Sequence, residues 1–330
     1  MKVKSNTLYI IGNGFDLHHG LDTWYSSFGL YLQDNECDIY DLLVKYLGMP
    51  ELDRYDQSTL NVTEWNEFEV SLANLYFDEI IDDNAEYAAD LGSDDYYKDI
   101  GAIETYVSEI RDNLSLNLFN IFKAFIRQIN YPSLNIGSEL FIDKEARFFN
   151  FNYTNSLQYY YGVDDTNINY THNNADSEKL LILGHGFTVN SFVPEIPTPP
   201  ENATFEELQD WNDWMSDQYD MSIELGKDAL FKYFTNSYKN SEKIIKENDA
   251  YFKSLSTIDE IIVFGHSLAD VDKKYFEKIF SSVKDDTHWF VSCLIKEEME
   301  FKKEKLVSFG IKSENIHPFL VKSLLKINNK

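Results

Sequence analysis

Three short apolar runs in this chain end in glycine, and that repetition limits the possible folds more than any other feature. Leu8-Tyr9-Ile10-Ile11 runs into Gly12-Asn13-Gly14-Phe15-Asp16, Leu180-Leu181-Ile182-Leu183 into Gly184-His185-Gly186, and Ile261-Ile262-Val263-Phe264 into Gly265-His266-Ser267-Leu268. Four apolar residues closed by glycine read as a strand buried on both faces and entering a tight turn. Glycine permits positive φ and lets a ligand or another loop approach the backbone. Leu17 to Tyr31 is patterned mostly as helix, so strand, glycine loop and helix follow in order near the start. In α/β proteins that order presents backbone N–H groups to a phosphate. The third glycine of the dinucleotide fingerprint is replaced by Leu17.

The alternation of strand and helix returns later. Arg147 to Phe151, Asn167 to Tyr170, His288 to Leu294 and Ile316 to Leu320 read as strands, while Ser156 to Tyr161, Asp272 to Ser282 and Glu297 to Phe309 read as helices. This alternation predicts an α/β fold with a Rossmann-like, mostly parallel sheet. One domain over 1–330 is expected, carrying helical insertions at about 37–145 and about 187–255. After the glycine loop Tyr25 to Leu32 has helical spacing, and within the first insertion so does Asp38 to Leu47, while Trp65, Phe68, Glu69, Leu72, Leu75 and Tyr76 share a helical face. Ile103, Val107, Ile110, Leu114, Leu118, Ile121, Phe125 and Ile129 then mark one long stripe, which packs into the core or permits a homo-oligomer. The second insertion opens with a Pro-rich stretch, Val193 to Pro200, and is helical through Lys253.

The charge restricts the partners. The formal net charge is -27, from 29 basic and 56 acidic residues, and Lys302 to Lys305 is the sole basic cluster. Nucleic acid is therefore a disfavoured partner. The acid-rich stretch from Asp78 to Asp99 is a solvated face or a docking surface for a basic partner. Cys37 and Cys293 give neither a disulfide framework nor a zinc pattern, and both are expected as buried thiols. Met1 to Asn6 is too polar for a signal peptide and no apolar run reaches the ~20 residues of a membrane span, so a cytoplasmic protein is expected.

In open α/β sheets ligands bind outside the carboxyl ends of the strands. The three glycine loops and the turn at Asn152 all leave such ends. Gly12, Asn13, Gly14, Phe15 and Ser267 are candidates for holding phosphates. Asp16 is a candidate for accepting from ribose hydroxyls, or else a helix cap. Asn152 can orient a water or a hydroxyl, because its amide both donates and accepts. His172 is the candidate acid–base group. His185 and His266, beside Gly184 and Gly265 at strand ends, are candidates for polarising a phosphate or lining the pocket. His18 and His19 are neighbours on a helix and do not share a face, so no metal site is expected there.

The stretch from Ile10 to Leu21, Trp65-x-x-x-Glu69, Phe151-Asn152-Tyr153-Thr154-Asn155-Ser156-Leu157, Leu183-Gly184-His185-Gly186 and Phe264-Gly265-His266-Ser267-Leu268-x-x-x-Asp272 together resemble the bacteriophage abortive-infection AbiH family. That family in turn looks distantly similar to sirtuin-like NAD-binding defence domains. The second resemblance implies NAD as ligand or substrate, Asn152 as the turn Asn and His172 as the catalytic His. It also implies Gly265, Ser267 and Asp272 as the last nucleotide loop. The chain departs from the sirtuin pattern at Thr154 and Asn155, where an Asp is expected, and at Asn173, where a Gly is expected.

The resulting expectation is an antiphage effector that hydrolyses an N-glycosidic bond in NAD or a related nucleotide, with its helical insertions excluding water from the site. A phage-derived protein is one candidate trigger. The alternatives are a non-catalytic nucleotide or phage-protein sensor acting through a partner, and a metal-dependent nuclease using Asp16 and His18.

Overall fold

A computed structural model describes residues 6–90, 92–134, 138–195, 197–217 and 219–325. Most of the N-terminal segment read above for a leader, Met1 to Ser5, lies outside these residues, as does one position of the Pro-rich stretch. The chain forms two compact units.

The first unit comprises Met1–Tyr31, Phe119–Gly186 and Lys239–Lys330. It contains the sheet, whose six strands are β1 (Thr7–Ile11), β2 (Arg147–Asn150), β3 (Ile168–Tyr170), β4 (Glu260–Phe264), β5 (His288–Cys293) and β6 (Ile316–Leu320). Their order is β3-β2-β1-β4-β5-β6, and every pairing is parallel. The expected Rossmann-like parallel sheet is therefore present. In β1, Leu8 and Ile10 point into one core cluster with Phe149, Val263, Trp289 and Phe276, and Tyr9 and Ile11 into another with Phe15, Phe148 and Phe264. Burial on both faces is why this strand reads as a continuous apolar run rather than an alternating one. The chain moves outward from β1 to β3, then returns to place β4 on the other side of β1. The strand order thus reverses between β1 and β4, where α/β sheets open their ligand crevice.

Leu180 to Leu183 is not a strand, contrary to the sequence expectation. Leu181 and Leu183 are buried, but Leu180 is 60% exposed. The neighbouring edge strand, β3, ends at Tyr170, so this run has no ladder to join; Ile182 N–H donates to the His172 carbonyl, and side chains hold the rest, Tyr153 Oη donating to the Ile182 carbonyl and Asn173 Nδ2 to the Leu180 carbonyl. The expected helix from Leu17 to Tyr31 is also divided: one short helix covers Gly14–His18 and the next begins at Tyr25. Gly20, with φ 78°, ends the first in the left-handed region.

The second unit comprises Leu32–Leu118 and Phe187–Tyr238 and is helical. Its Cys37–Leu47 helix ends at Gly48 in the left-handed conformation. Cys37 is exposed at the start of that helix rather than buried, while Cys293 in β5 is buried as expected. Trp65 and Phe68 lie on two single-turn helices, Thr63–Asn66 and Phe68–Ser71, instead of one longer helix. Their rings stack in parallel at 5.7 Å, so the apolar spacing serves the core without a continuous helix. The Ala102–Asp112 helix packs against Met221–Asn236. A Cβ on Gly226 would come within 3.2 Å of Ile103 Cγ1, so the missing side chain permits this close approach. The long stripe is interrupted by a π-helical turn at Asn113–Asn117, next to a bond from Ser115 Oγ to the Arg111 carbonyl, before helix resumes at Leu118–Gln128.

Candidate active site at the sheet switch point

The loops after β1 and β4 meet backbone to backbone. A Cβ built on Gly12 would lie 2.6 Å from His266 Cα, and one on Gly14 would lie 2.7 Å from Gly265 Cα. Only glycine allows this contact, which explains both residues of the Gly-x-Gly signal. The contact uses the loop's donors. Gly12 N–H donates to the Phe264 carbonyl at 2.9 Å, Gly14 N–H to Gly265 at 2.8 Å, and Phe15 N–H to Gly12 at 2.9 Å. The Asn13 amide donates to the Thr23 carbonyl and accepts from its hydroxyl. Phe15 is fully buried against Phe264 and Tyr161.

Asp16 is buried beside this loop and joins it to the turn after β2. Its carboxylate accepts from Thr154 Oγ1 at 2.7 Å and from Ser156 Oγ at 2.5 Å. Burial raises its pKa to about 6, and the Ser156, Thr154 and Asn152 side chains hold it from rising further. Asp16 lies inside its short helix and is not the cap that precedes it. Asn152 Nδ2 is buried and forms no hydrogen bond of ordinary geometry, although the amide is near enough to favour the Asp16 carboxylate. His18 Nε2 donates to the Ser138 carbonyl. His19 donates from Nδ1 to the Phe15 carbonyl and accepts from the Tyr161 hydroxyl at Nε2. Among the described residues, no group of three or more His, Cys, Asp or Glu side chains could hold a metal ion.

The polar centre is gathered around Asp272. Its Oδ1 lies 2.9 Å from Lys239 Nζ and 4.0 Å from His172 Nε2, and its Oδ2 lies 3.4 Å from His266 Nε2. All four residues are buried. Burial works to raise the Asp272 pKa, but the Lys239 ammonium and the His266 N–H more than offset it, so the group stays ionised well below the usual carboxylate range. Burial and the adjacent Lys239 charge push His172 well below the usual histidine value, which keeps it neutral.

The tautomers follow from the remaining partners. His266 Nδ1 accepts the Leu268 N–H at 2.8 Å, so its proton is on Nε2 and faces Asp272. Leu268 holds this bond at φ 63°, a left-handed conformation that is strained for a buried leucine. His172 bonds the Phe151 backbone and has no partner at Nε2. Its proton is therefore on Nδ1, and an Nε2 lone pair faces the Asp272 carboxylate. Phe151 separates the two imidazoles, with ring centroids 5.4 Å from His172 and 4.4 Å from His266.

The structure thus brings Gly12, Gly14, Asp16, Asn152, Gly265, His266 and Asp272 to one region at the strand ends, with His172 against Asp272. Gly184 and His185 border it, and the His185 carbonyl accepts the Lys239 N–H at 2.8 Å. Ser267 is exposed and outside the buried centre. Lys239 escaped the sequence reading: Tyr238-Lys239-Asn240 has no motif, and the one available sign was that a buried Asp272 would need a cation.

Comparisons with curated proteins and with solved structures give no match. The family described as Bacteriophage abortive infection AbiH matches residues 8–293, which takes in β1 from Leu8 on, β2 to β5 and every residue of the polar centre. With that match covering most of its 330 residues, the chain belongs to the bacteriophage abortive infection AbiH family.

Proposed function

We propose that this AbiH protein is an abortive-infection effector that hydrolyses the N-glycosidic bond of NAD or a related nucleotide. One observation carries the reading: His172 Nε2, a buried acceptor with no donor, lies 4.0 Å from Asp272 Oδ1, which accepts from Lys239 and keeps a second lone pair. Two acceptors in that position are satisfied by a molecule that donates twice, and water does so. A water donating to both atoms has its own lone pairs directed away from them, free to attack an anomeric carbon. The C–O bond forms as the C–N bond to nicotinamide breaks, the electron pair leaves with the nicotinamide, and the water proton passes to His172. The ionised Asp272 favours the oxocarbenium character that develops. Asn150 Nδ2 and Asn152 Nδ2, buried and without an acceptor of ordinary geometry, supply N–H donors for ribose oxygens. On the sirtuin-like reading, Gly265, Ser267 and the Gly12–Asp16 loop border the nucleotide. Admission of its phosphates then requires the Gly14–Gly265 bond to open and release the loop's N–H groups.

A second reading, a nucleotide or phage-protein sensor acting through a partner, is favoured by the internal use of those same N–H groups. The two readings separate in phage-infected cells. Loss of NAD in cells with the wild-type protein, absent with His172→Ala, supports hydrolysis. Unchanged NAD together with loss of protection by His172→Ala contradicts it, and tight nucleotide binding without turnover supports the sensor.

A further inference from the structure

Two histidines sit at the opposite end of the sheet from the polar centre. His288 is the first residue of β5 and His317 the second of β6, the outermost strand on that side. Both therefore lie at the amino ends of parallel strands. In the β5–β6 ladder Phe290 is registered with His317. Side chains alternate along a strand, so His288 and Phe290 share the face that carries His317. His288 is exposed and His317 partly so. Their rings converge, with His288 Nδ1 2.9 Å from His317 Nε2. Phe290 lies against the His317 ring at a centroid distance of 5.1 Å, which limits its rotation.

As it stands the contact is a hydrogen bond in which one ring donates and the other accepts. The same two nitrogens form a chelate once the bridging proton moves to the far nitrogen of its own ring, the other tautomer of a neutral imidazole. Each ring keeps its one proton in that exchange. Metal–nitrogen bonds of about 2.0–2.1 Å to two nitrogens 2.9 Å apart subtend about 90° at the metal. That is the cis angle of a tetragonal or octahedral ion, whereas a tetrahedral ion needs its nitrogens about 3.3 Å apart.

The surroundings suit a cation. Burial, His288 and Lys303 hold His317 below the usual histidine value, so its ring is neutral and able to ligate at neutral pH. Glu260 of β4 is registered with His288 and adds a carboxylate to the same face. The net charge of -27 draws dications to the surface as a whole. The pair falls short of a three-residue protein site, so water completes the coordination.

We infer that His288 and His317 chelate one divalent transition ion of the imidazole-preferring class with 90° cis geometry, such as Ni2+ or Cu2+, and that the ion ties the edge strand β6 to β5. The inference is independent of any reaction at His172.

The test uses the full chain, stripped with a chelator and titrated calorimetrically with Ni2+ in excess Mg2+, which occupies oxygen-only sites. One Ni2+ per chain is expected. His288→Ala and His317→Ala should each lower the affinity about tenfold or more, and the double variant should lose no more than either, since a chelate needs both rings. Ni2+ should raise the melting temperature of wild type and not of the variants. One equivalent of Cu2+ on wild-type protein should show electron paramagnetic resonance coupling to two nitrogens, a readout that no variant's folding affects. Absence of a saturable Ni2+ site, affinity unmoved by either substitution, a double variant that loses the product of the single losses, or Cu2+ coupled to fewer than two nitrogens would overturn the inference.

Discussion

Lys239 Nζ and Asp272 Oδ1 form an ion pair at 2.9 Å in which the lysine side chain is 1% exposed and the aspartate 11%. Removing two charges from water is costly, and such a pair seldom adds stability over well-packed apolar residues. Its presence in the loop after β4, against two histidines, is better explained by what it does to the charge of Asp272 and His172. The lysine fixes the carboxylate as an anion and opposes protonation of His172.

Breaking the pair from one side leaves a buried charge uncompensated. Asp272→Leu or Lys239→Met should each cost about 3–5 kcal/mol in denaturant unfolding. Lys239→Met combined with Asp272→Leu should recover most of that loss, giving a strong favourable coupling in the double-mutant cycle. Additive losses would mean that the two residues act separately.

Asp16 makes a prediction about pH. Its folded pKa is about 6 against 3.8 for a free carboxyl, so the folded state binds more protons between these values. The stability this group contributes is complete below pH 3.8 and is lost as pH rises through about 6. Asp16→Asn removes that loss. Relative to wild type, the variant should gain up to ~3 kcal/mol between pH 4 and 7.5, from ~1.4 kcal/mol per pKa unit. His19, lowered by burial to about 4, acts in the opposite sense: its contribution is complete above 6.5 and is lost as pH falls through about 4. Asp16→Asn should therefore be more acid-sensitive than wild type between pH 6.5 and 4. Parallel curves for the two proteins would count against a buried, proton-binding Asp16.

The contact between the β1 and β4 loops tolerates no side chain. Gly265 has φ 67°, and a Cβ there would lie 2.3 Å from Phe15 N. Gly265→Ala should destabilise the fold by several kcal/mol, roughly the upper range for single substitutions, because backbone must move. Gly12→Ala should do the same through His266. Gly101, whose Cβ would meet nothing within 4 Å, is the control and should change stability little on substitution by Ala. Thermal unfolding of the three variants checks this.

His172 gives a kinetic expectation. Because its pKa is held well below 6.5, the imidazole stays a competent base as the solution acidifies. The kcat/KM for nicotinamide release should stay level from pH 7.5 to pH 6, with no fall through the ordinary histidine range. Lys239→Met removes the nearby positive charge, the second cause of the lowering, and should bring an acid limb toward that range.

The strands, the sheet type and the glycine loops were legible because burial on both faces and close backbone approach leave direct marks: continuous apolar runs and glycine. Leu180 to Leu183 carries the same mark as β4 without being a strand, because strand formation depends on a neighbour's edge, which the run itself does not encode. His172 and Asp272 could be named as candidates, but not their pairing, which depends on the loops after β3 and β4 meeting. Lys239 was invisible for the same reason. The use of the glycine-loop N–H groups by Phe264 and Gly265 could not be read from the sequence, since a loop that holds a phosphate and a loop that holds another loop need the same glycines.

The most direct test is nicotinamide release from NAD by the purified protein, measured by mass spectrometry with and without extract from phage-infected cells. Release by wild type that drops about a hundredfold or more in His172→Ala, in line with loss of a general base, is the expected result. Wild-type protein that protects cells while leaving NAD intact under every condition, or equal release by His172→Ala, would contradict a hydrolytic centre at His172 and Asp272.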